Sequence, residues 1–477
     1  MIGYIDMNCG VRRNLIFCSW GPSILGPQAV FPKHQLRNPI MPYESISRKR
    51  HHYLKRDYLG NRFSEVDPLQ SYTEDVEHWA RKAKTRMHHL CQDLLRAAAN
   101  PSLMAIAIDQ IGRREILGEH ADGFGSNQYP WDWFRSIRQR ILDGTFRRGK
   151  FTKVKIPKIG KSGFRTIEIP DAESRILGRS LLNLLTPLVD PEFYQLSIGF
   201  RPKRNLAHGI AAAQLLFERG HRYMVACDIR DAFGQVPKQR MIQILRSRLH
   251  QSPVIWLIEE LLDRSRKCGI PQGHSLSPLC MNVYLDNNLD RWWQESQLES
   301  VLVRYADDIA VFAESKQAAI AAYHSLQQRI QSCGLKLKEG PEEAVYDLGG
   351  GDRVQWLGMS LRCAGDSLKA SLADSSWDKL RATLSEMKLR LQKHDVEHGL
   401  HLSGLQWLAQ KAIAIEELSV PAVTDQIRCV GADLQVNMAQ LTDDLAVEAW
   451  TIGRDIASRA RVEVVDWLAE IKKAPTA

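Results

Sequence analysis

The fold is decided at residues 303–312, which read Val303-Arg304-Tyr305-Ala306-Asp307-Asp308-Ile309-Ala310-Val311-Phe312. Apolar runs before and after the two acids predict two strands that flank a tight turn. Burying two like charges at such a turn is unfavourable unless cations neutralise them. Oxygen-only ligands at this charge density suit Mg²⁺ or Mn²⁺. The alternative is that Asp307 and Asp308 only form the turn, where Asp is common.

A third carboxylate, Asp228, ends another apolar strand, Met224-Val225-Ala226-Cys227. If the strands are neighbours in one sheet, the three acids converge. Two bound cations, about 4 Å apart, would then activate a 3′-hydroxyl and stabilise the charge that develops on a transferred phosphate. We therefore predict that Asp228, Asp307 and Asp308 are metal-binding catalytic residues.

The surrounding pattern predicts an α+β fold. Alternating residues over 151–170 predict a hairpin, with a turn at Gly160-Lys161-Ser162-Gly163. Helical periodicity begins near Thr73 and recurs at 102–148, 173–188, 238–264, 276–293 and 316–333. This mixed order suggests an antiparallel sheet with helices on one face. After Ser371 the pattern is helical, with Ser375 or Ser376 placed to cap the first of these helices.

Composition limits the classes of function. The 477 residues carry a formal net charge of +9, which favours an anionic partner such as nucleic acid. The basic run at 48–56 is either a solvated loop or a nucleic-acid contact. Nine scattered cysteines without a C-x-x-C pair suggest neither a disulfide framework nor a zinc ribbon. With no signal peptide or membrane span in view, we expect a soluble protein in a reducing cytoplasm.

Five segments together resemble reverse transcriptases, in that family's order over about residues 110–362. Tyr305-Ala306-Asp307-Asp308 resembles the catalytic box, and Asp228-Ile229-Arg230-Asp231-Ala232-Phe233 resembles the first carboxylate motif. Between these two motifs, Gly269-Ile270-Pro271-Gln272-Gly273-His274-Ser275-Leu276-Ser277-Pro278 resembles the segment that the family has at this place. Ser197-Ile198-Gly199-Phe200-Arg201-Pro202 is similar to the fingers motif of group II intron and related prokaryotic enzymes, and Trp356-Leu357-Gly358 is similar to the primer grip.

The resemblance implies a right-hand polymerase fold, with fingers and palm built from an antiparallel sheet plus helices and with an all-helical thumb and C-terminal region. The expected divisions are an N-terminal extension, basic and partly helical (1–105), fingers (106–221), palm with the catalytic carboxylates (222–365), and helical thumb with a C-terminal tail (366–477). It also implies an RNA-directed DNA polymerase that uses two Mg²⁺ ions, with Mn²⁺ possible. The implied partners are an RNA template, a DNA or RNA primer and dNTPs, and oligomerisation stays open.

The resemblance also assigns roles to individual residues. Phe233 would be the steric gate that excludes a 2′-hydroxyl, with core packing as the alternative. Gln272 would line the incoming nucleotide, and the Ile229 carbonyl would complete the metal shell. Arg165, with either Lys155 or Lys158, would clamp the triphosphate. The remaining assignments are the primer grip at Trp356, Leu357 and Gly358, and the template-side fingers at Arg201 and Pro202.

The departures from the family's pattern bear on the biological role. His274 stands where intron-type relatives usually have a second Gly, and we expect it to narrow the space near the template. The C-terminal part shows no Cys or His array of an appended endonuclease. We therefore favour a domesticated bacterial enzyme that copies a dedicated non-coding RNA in antiphage defence. An intron maturase is the alternative, and protein-primed or untemplated synthesis stays open.

Three rival readings remain. His394-Asp395-Val396-Glu397-His398 fits the H-x-x-E-H pattern of a zinc protease, although a position at a helix end before Gly399 explains it as well. An RNA-directed RNA polymerase would share the metal chemistry, but Phe233 argues against it. A non-catalytic binding protein would have to keep three unpaired acids at a loss of stability.

Overall fold

The computed structural model describes residues 68–82, 84–112, 116, 129–157, 163–296, 298–390 and 393–471. The basic run at 48–56, Lys158 and most of the predicted turn at 160–163 lie outside this part. The described helices are α1 (Pro68–Lys82), α2 (Lys84–Ala98), α3 (Pro101–Ile111), α4 (Trp131–Leu142), α5 (Ala172–Val189), α6 (Leu206–Glu218), α7 (Ala232–Gln235), α8 (Lys238–Arg248), α9 (Ile255–Leu261), α10 (Ser277–Leu285), α11 (Arg291–Glu295), α12 (Lys316–Ser332), α13 (Pro341–Ala344), α14 (Asp374–Arg390), α15 (Lys393–Lys411), α16 (Val420–Asp433) and α17 (Asp443–Ile471). The strands are β1 (Thr152–Pro157), β2 (Phe164–Ile169), β3 (Tyr223–Asp228), β4 (Ser300–Tyr305), β5 (Asp308–Ala313), β6 (Val345–Asp347), β7 (Val354–Trp356), β8 (Met359–Ala364) and β9 (Ser367–Leu372).

The first five helices pack into a layer around α3. Asn100 caps α3 by accepting the Ser102 N–H at 2.8 Å, and Pro101 occupies its first position. Helix α5 contacts α1, α2 and α3, and the Tyr72 hydroxyl donates to the Leu184 carbonyl at 2.6 Å. The predicted division between the N-terminal extension and the fingers, at residue 105, falls inside α3. The helices on its two sides pack in one layer.

The hairpin and the strands near the acids form as the sequence predicts. Strands β1 and β2 pair antiparallel. The central sheet has the order β4-β5-β3-β6, and every neighbouring pair in it is antiparallel. Its register places Asp228 opposite Asp308 where β3 ends and β5 begins. The sheet therefore brings the two acid-bearing segments together.

Helices cover both faces of this sheet. Every residue of β5 from Ile309 to Ala313 is buried, and successive side chains of a strand point to opposite faces. Helices α12 and α6 both contact β5. Both faces of β5 are therefore covered, and the α+β class is confirmed.

The C-terminal region is helical after a third sheet, which has the order β7-β8-β9. Helices α14 to α17 share a core that includes Leu380, Leu384 and Leu408. Helix α17 also contacts α6, and its Val464 and Leu468 belong to the main core. None of the helices that the structure describes is both long enough and apolar enough to cross a lipid bilayer.

Three local expectations need correction. The helix at 276–293 contains a π-helical turn, Asp286–Asp290, between α10 and α11. Helix α14 begins at Asp374, and the Ser376 hydroxyl donates to the Gly358 carbonyl instead of capping the helix. The H-x-x-E-H segment lies at the start of α15, which continues through Gly399, and not at the end of α14. Its side chains at 394–398 lie outside the described residues.

Candidate active site

Ala306 and Asp307 form a two-residue turn that joins β4 to β5, and Asp308 is the first residue of β5. Tyr305 pairs with Asp308 across this turn, and Ala306 has a φ of 62°. Positive φ at the first turn residue matches the twist of hairpin strands but is normally left to glycine. The Ile229 N–H donates to the Asp307 carbonyl at 3.1 Å, which ties the end of β3 to the turn.

A buried arginine holds this turn from inside. The Arg304 side chain is fully buried and forms an ion pair with Asp290, which is also fully buried. Its guanidinium donates to the Ala306 carbonyl at 2.9 Å and to Asn282 Oδ1 at 3.0 Å. It also donates to the Ser197 hydroxyl at 2.5 Å. Arg304 therefore connects the turn to α10, to the π-helical turn and to the segment that begins at Ser197.

That segment passes directly beneath the catalytic turn. Ile198 N–H donates to the Arg304 carbonyl at 2.7 Å, and Asn282 donates to the Gly199 carbonyl at 2.8 Å. A Cβ on Gly199 would overlap the backbone of the turn, with the Tyr305 carbonyl carbon 2.9 Å away. Only glycine permits this approach, so the predicted fingers motif supports the acids directly.

The three carboxylates interact strongly. Burial raises the pKa of Asp308 to about 9, and its hydrogen bond to Asp228 and the charges of Asp228 and Asp307 add to the rise. Burial and Asp228 also raise the pKa of Asp307, whose Oδ1 is buried without a hydrogen-bond partner. The Lys338 ammonium forms an ion pair with Asp228 and opposes both rises. The site thus has more negative charge than its own cations neutralise.

The donor set fits a divalent cation, although the side chains are not closed around one. Among the described residues, no three His, Cys, Asp or Glu side chains are arranged to hold a metal ion. The Asp228 carboxylate contacts Lys338 and Asp308. The unpartnered oxygen of Asp307 and the raised pKa values indicate that positive charge would stabilise the group. Carboxylate oxygens suit Mg²⁺ or Mn²⁺.

Phe233 lies on α7, close to the acids in sequence and half-buried. The Ile270 N–H donates to its carbonyl at 2.8 Å, which joins α7 to the segment before Gln272. Its ring meets the ring of Phe200 edge to face, with centroids 6.4 Å apart. Phe200 has a φ of 61°, so its unusual backbone presents an aromatic support to the predicted gate.

The hairpin places one of its candidate cations near the acids. Arg165 lies close enough to Asp307 to oppose the rise of its pKa. The Gln272 carbonyl accepts the Glu168 N–H at 2.7 Å, so the hairpin and the Gln272 segment are joined. Lys155 pairs with Thr166, and Arg165 pairs with Ile156, which puts Lys155 and Arg165 on opposite faces. This register argues against Lys155 as the partner of Arg165, and Lys158 lies outside the described residues.

The predicted primer grip is a tight turn between β7 and β8. Leu357 and Gly358 have φ values of 50° and 71°, as a type I′ turn requires. Trp356 is buried, and its indole N–H has no hydrogen-bond partner. A Cβ on Gly209 would lie 2.7 Å from Leu357 Cδ1, so the turn packs tightly on α6.

Arg201 and His274 do not lie on the template side, where the sequence predicts them. Arg201 is 4% exposed, and its guanidinium donates to Asp190 and to the carbonyls of Tyr194 and Ser197. It holds the loop from within, whereas the neighbouring Pro202 is exposed. His274 is buried against Gly178 of α5, where burial lowers its pKa to about 4. The expectation that His274 narrows the template space was therefore wrong.

Several residues that shape the site were missed by sequence reasoning: Arg304, Asp290, Lys338, Phe200, Gly209, and Glu339, whose carboxylate accepts the Asp228 N–H at 2.8 Å. A charged residue inside an apolar strand was a signal for Arg304, because a buried arginine requires a carboxylate partner. Lys338 lies 110 residues beyond Asp228, and nothing in its local pattern indicates that contact.

Comparison with known proteins is consistent with this geometry. Residues 156–361 match the model of the family described as reverse transcriptase (RNA-dependent DNA polymerase). Protein YkfC of Escherichia coli (strain K12) is 24% identical over 245 residues, which cover 42% of this chain and 64% of that protein. Group II intron-encoded protein LtrA of Lactococcus lactis subsp. cremoris is 24% identical over 286 residues, covering 56% of this chain and 45% of LtrA. A structure of apo telomerase from Candida tropicalis, truncated from its C-terminal domain, is 14% identical with a TM-score of 0.37, covering 52% of this chain and 63% of that one. The chain spans less than two thirds of the length of each of these proteins.

Proposed function

We propose that this chain is an RNA-directed DNA polymerase, because residues 156–361 match the reverse transcriptase family and the chain is similar to the group II intron-encoded protein LtrA. It adds deoxynucleotides to a primer 3′-hydroxyl opposite an RNA template. The observation that carries the proposal is the pairing of Asp228 with Asp308 beside Asp307. Acids from two chain segments meet there, and the raised pKa values of Asp307 and Asp308 call for added positive charge.

Asp228, Asp307 and Asp308 would hold the cations, with the Ile229 carbonyl as a further ligand. Bound divalent ions would supply the positive charge that activates the 3′-hydroxyl and stabilises the charge developing on the transferred phosphate, and we propose two Mg²⁺ ions, with Mn²⁺ as a substitute. Arg165 would bind the triphosphate on the hairpin face that approaches Asp307. Gln272 would line the nucleotide, Phe233 would exclude a 2′-hydroxyl, and Trp356, Leu357 and Gly358 would position the primer end.

Primer extension on an RNA template tests the activity. Asp228→Asn, Asp307→Asn and Asp308→Asn should each reduce extension to background, because each removes a ligand from the same cations. Asp366→Asn is the matched control, since Asp366 is an exposed acid of the β8–β9 turn. Extension that survives all three substitutions, or an inactive wild-type chain with Mg²⁺ and dNTPs, would contradict the proposal.

For the biological role we propose the copying of a dedicated non-coding RNA in antiphage defence, within the cytoplasm. The likeness to LtrA favours a second candidate, action on a group II intron RNA. Sequencing of the RNA and nascent DNA that copurify with the protein separates them. One discrete non-coding RNA copied into DNA supports the first, and intron RNA supports the second. DNA covalently attached to the chain would indicate protein-primed synthesis. Nascent DNA that matches no copurified RNA would indicate untemplated synthesis.

A further inference from the structure

Two lysines from the C-terminal helices meet at the Leu357-Gly358 turn. Lys411, at the end of α15, donates from Nζ to the Gly358 carbonyl at 3.2 Å. A Cβ built on Gly358 would lie 3.1 Å from Lys411 Nζ and 3.7 Å from Lys379 Nζ. Lys379 belongs to α14, so two helices each bring an ammonium group to one turn of the β7-β8-β9 sheet.

This pair of charges is not neutralised by the described residues. Lys411 is 9% exposed, and burial followed by the charge of Lys379 lowers its pKa to about 8. Within the described part of the chain, no ion pair joins Lys411 or Lys379 to a carboxylate. An ammonium has three donors, and the Gly358 carbonyl accepts one of them. A mostly buried cation beside a like charge is stabilised most simply by an anion.

A purely structural role does not require these charges. The Ser376 hydroxyl already donates to the Gly358 carbonyl, so the turn is held by a neutral group. Lys369 of β9 provides the contrast within the same sheet, because its ammonium lies 3.9 Å from the Glu416 carboxylate. Lys379 and Lys411 therefore remain available to bind a group outside the chain.

We propose that Lys379 and Lys411 bind a backbone phosphate of the nucleic-acid strand that lies along the Trp356-Leu357-Gly358 turn. The inference rests on the proposed function, which makes that strand the primer. A strand phosphate fits better than a free nucleotide. The lysines contact a turn of the β7-β8-β9 sheet, whereas the three carboxylates belong to the central sheet and Arg165 to the β1-β2 hairpin. Two ammonium donors on separate helices would fix the strand between the turn and the C-terminal helices.

Equilibrium binding of a fluorescent DNA primer annealed to an RNA template tests this, in EDTA and without dNTPs. Lys379→Ala and Lys411→Met should each weaken binding and lower the slope of log Kd against log salt by about 0.9. Between 50 and 200 mM salt, the Kd of each variant should therefore rise by a factor about 3.5-fold smaller than that of the wild type. Lys369→Ala, the matched control, should leave the slope unchanged.

Single methylphosphonate substitutions along the primer then locate the contact. One neutralised position should weaken binding by the wild type and have a smaller effect on Lys379→Ala, which keeps only the Lys411 contact. If no position behaves in this way, if both variants keep the wild-type slope, or if dNTP alone competes for the site, the inference is overturned. Should Lys411→Met fail to fold, as thermal melting would show, the exposed Lys379 decides the result by itself. A chain that passes this binding test but extends no primer refutes the polymerase proposal and leaves the phosphate site standing.

Discussion

Asp308 binds its proton far more tightly in the folded chain than in the unfolded chain, because burial and its acidic neighbours raise its pKa to about 9. An acid with a raised folded pKa contributes stability at low pH and loses it as the pH rises through the folded value. For Asp308 this window extends from its ordinary 3.8 to about 9. Near neutral pH a proton or a metal cation is therefore needed to neutralise the same carboxylate.

A stability measurement follows from this window. In EDTA, the melting temperature of the wild type should fall as the pH is raised from about 5 to 9, and that of Asp308→Asn should fall less. Millimolar Mg²⁺ should raise the wild-type value most at the alkaline end and have little effect on the variant. Differential scanning fluorimetry across pH measures both. Parallel pH curves for the two proteins, with Asp366→Asn as the control, would contradict the assignment.

Sugar selection should depend on Phe233 and on the ring that supports it. Phe233→Val should raise ribonucleotide incorporation, because it removes the bulk that meets the 2′-hydroxyl. Phe200→Leu should act in the same direction by about two- to tenfold, the range expected for loss of an aromatic pair. The measurement is the ratio of kcat/KM for dCTP to that for CTP. Phe233→Tyr keeps the ring and should keep the discrimination, and an unchanged ratio in Phe233→Val would remove the gate assignment.

The residues that the sequence allowed us to predict are those whose role follows from local pattern. Asp228, Asp307 and Asp308 each adjoin an apolar strand, and the sheet brings those strands together. Lys338 and Phe200 act through partners far away in sequence, which a local pattern does not specify. Arg201 shows the opposite error, because its motif was visible but its burial against Asp190 was not.

At the scale of elements, the catalytic hairpin depends on interactions from outside its own strands. Ala306 keeps a positive φ, a conformation of the kind that persists when surrounding structure over-determines it. The Arg304 guanidinium holds the Ala306 carbonyl, and Gly199 packs beneath the turn. The acids are thus positioned by a buried polar network that spans the site.

Breaking this network should destabilise the whole domain. Asp290→Asn removes the carboxylate partner of Arg304 and leaves a buried guanidinium underpaired, at a cost of about 3–5 kcal/mol. The double variant Asp290→Leu with Arg304→Met should recover part of that loss, because no uncompensated charge remains. Urea unfolding measures both free energies. A loss below about 1 kcal/mol in Asp290→Asn would show that the pair does not hold the hairpin.

Elements were easier to predict than their arrangement. Periodicity located the helices and strands because each pattern is local. Strand order, the cover on both faces of β5 and the π-helical turn between α10 and α11 depend on packing between distant segments. The register of β1 and β2 also depends on pairing between segments, and it argues against Lys155 as the partner of Arg165 by placing the two on opposite faces.

At the scale of the whole molecule, α6 links three parts of the chain. The segment before it passes beneath the catalytic turn, and its Gly209 packs under Leu357. On another side, His208 Nε2 lies 3.1 Å from Glu463 Oε2 of α17, and its ring stacks on Trp467 with centroids 5.2 Å apart. The C-terminal helix is therefore fastened to the same element that supports both turns of the site.

Trp467 should control how firmly that helix is held. Its ring also lies under the Arg204 guanidinium at 4.0 Å, so Trp467→Ala removes an aromatic stack and a cation–π contact together. We expect local opening at 461–471 to become easier by about 1–2 kcal/mol, a 5- to 30-fold rise in amide hydrogen exchange there. Trp450→Ala, in the same helix but bonded to the Ile415 carbonyl at 2.9 Å, should instead loosen the packing on the other C-terminal helices. Unchanged exchange at 461–471 in Trp467→Ala would mean that the apolar contacts of Val464 and Leu468 alone hold α17 on the core.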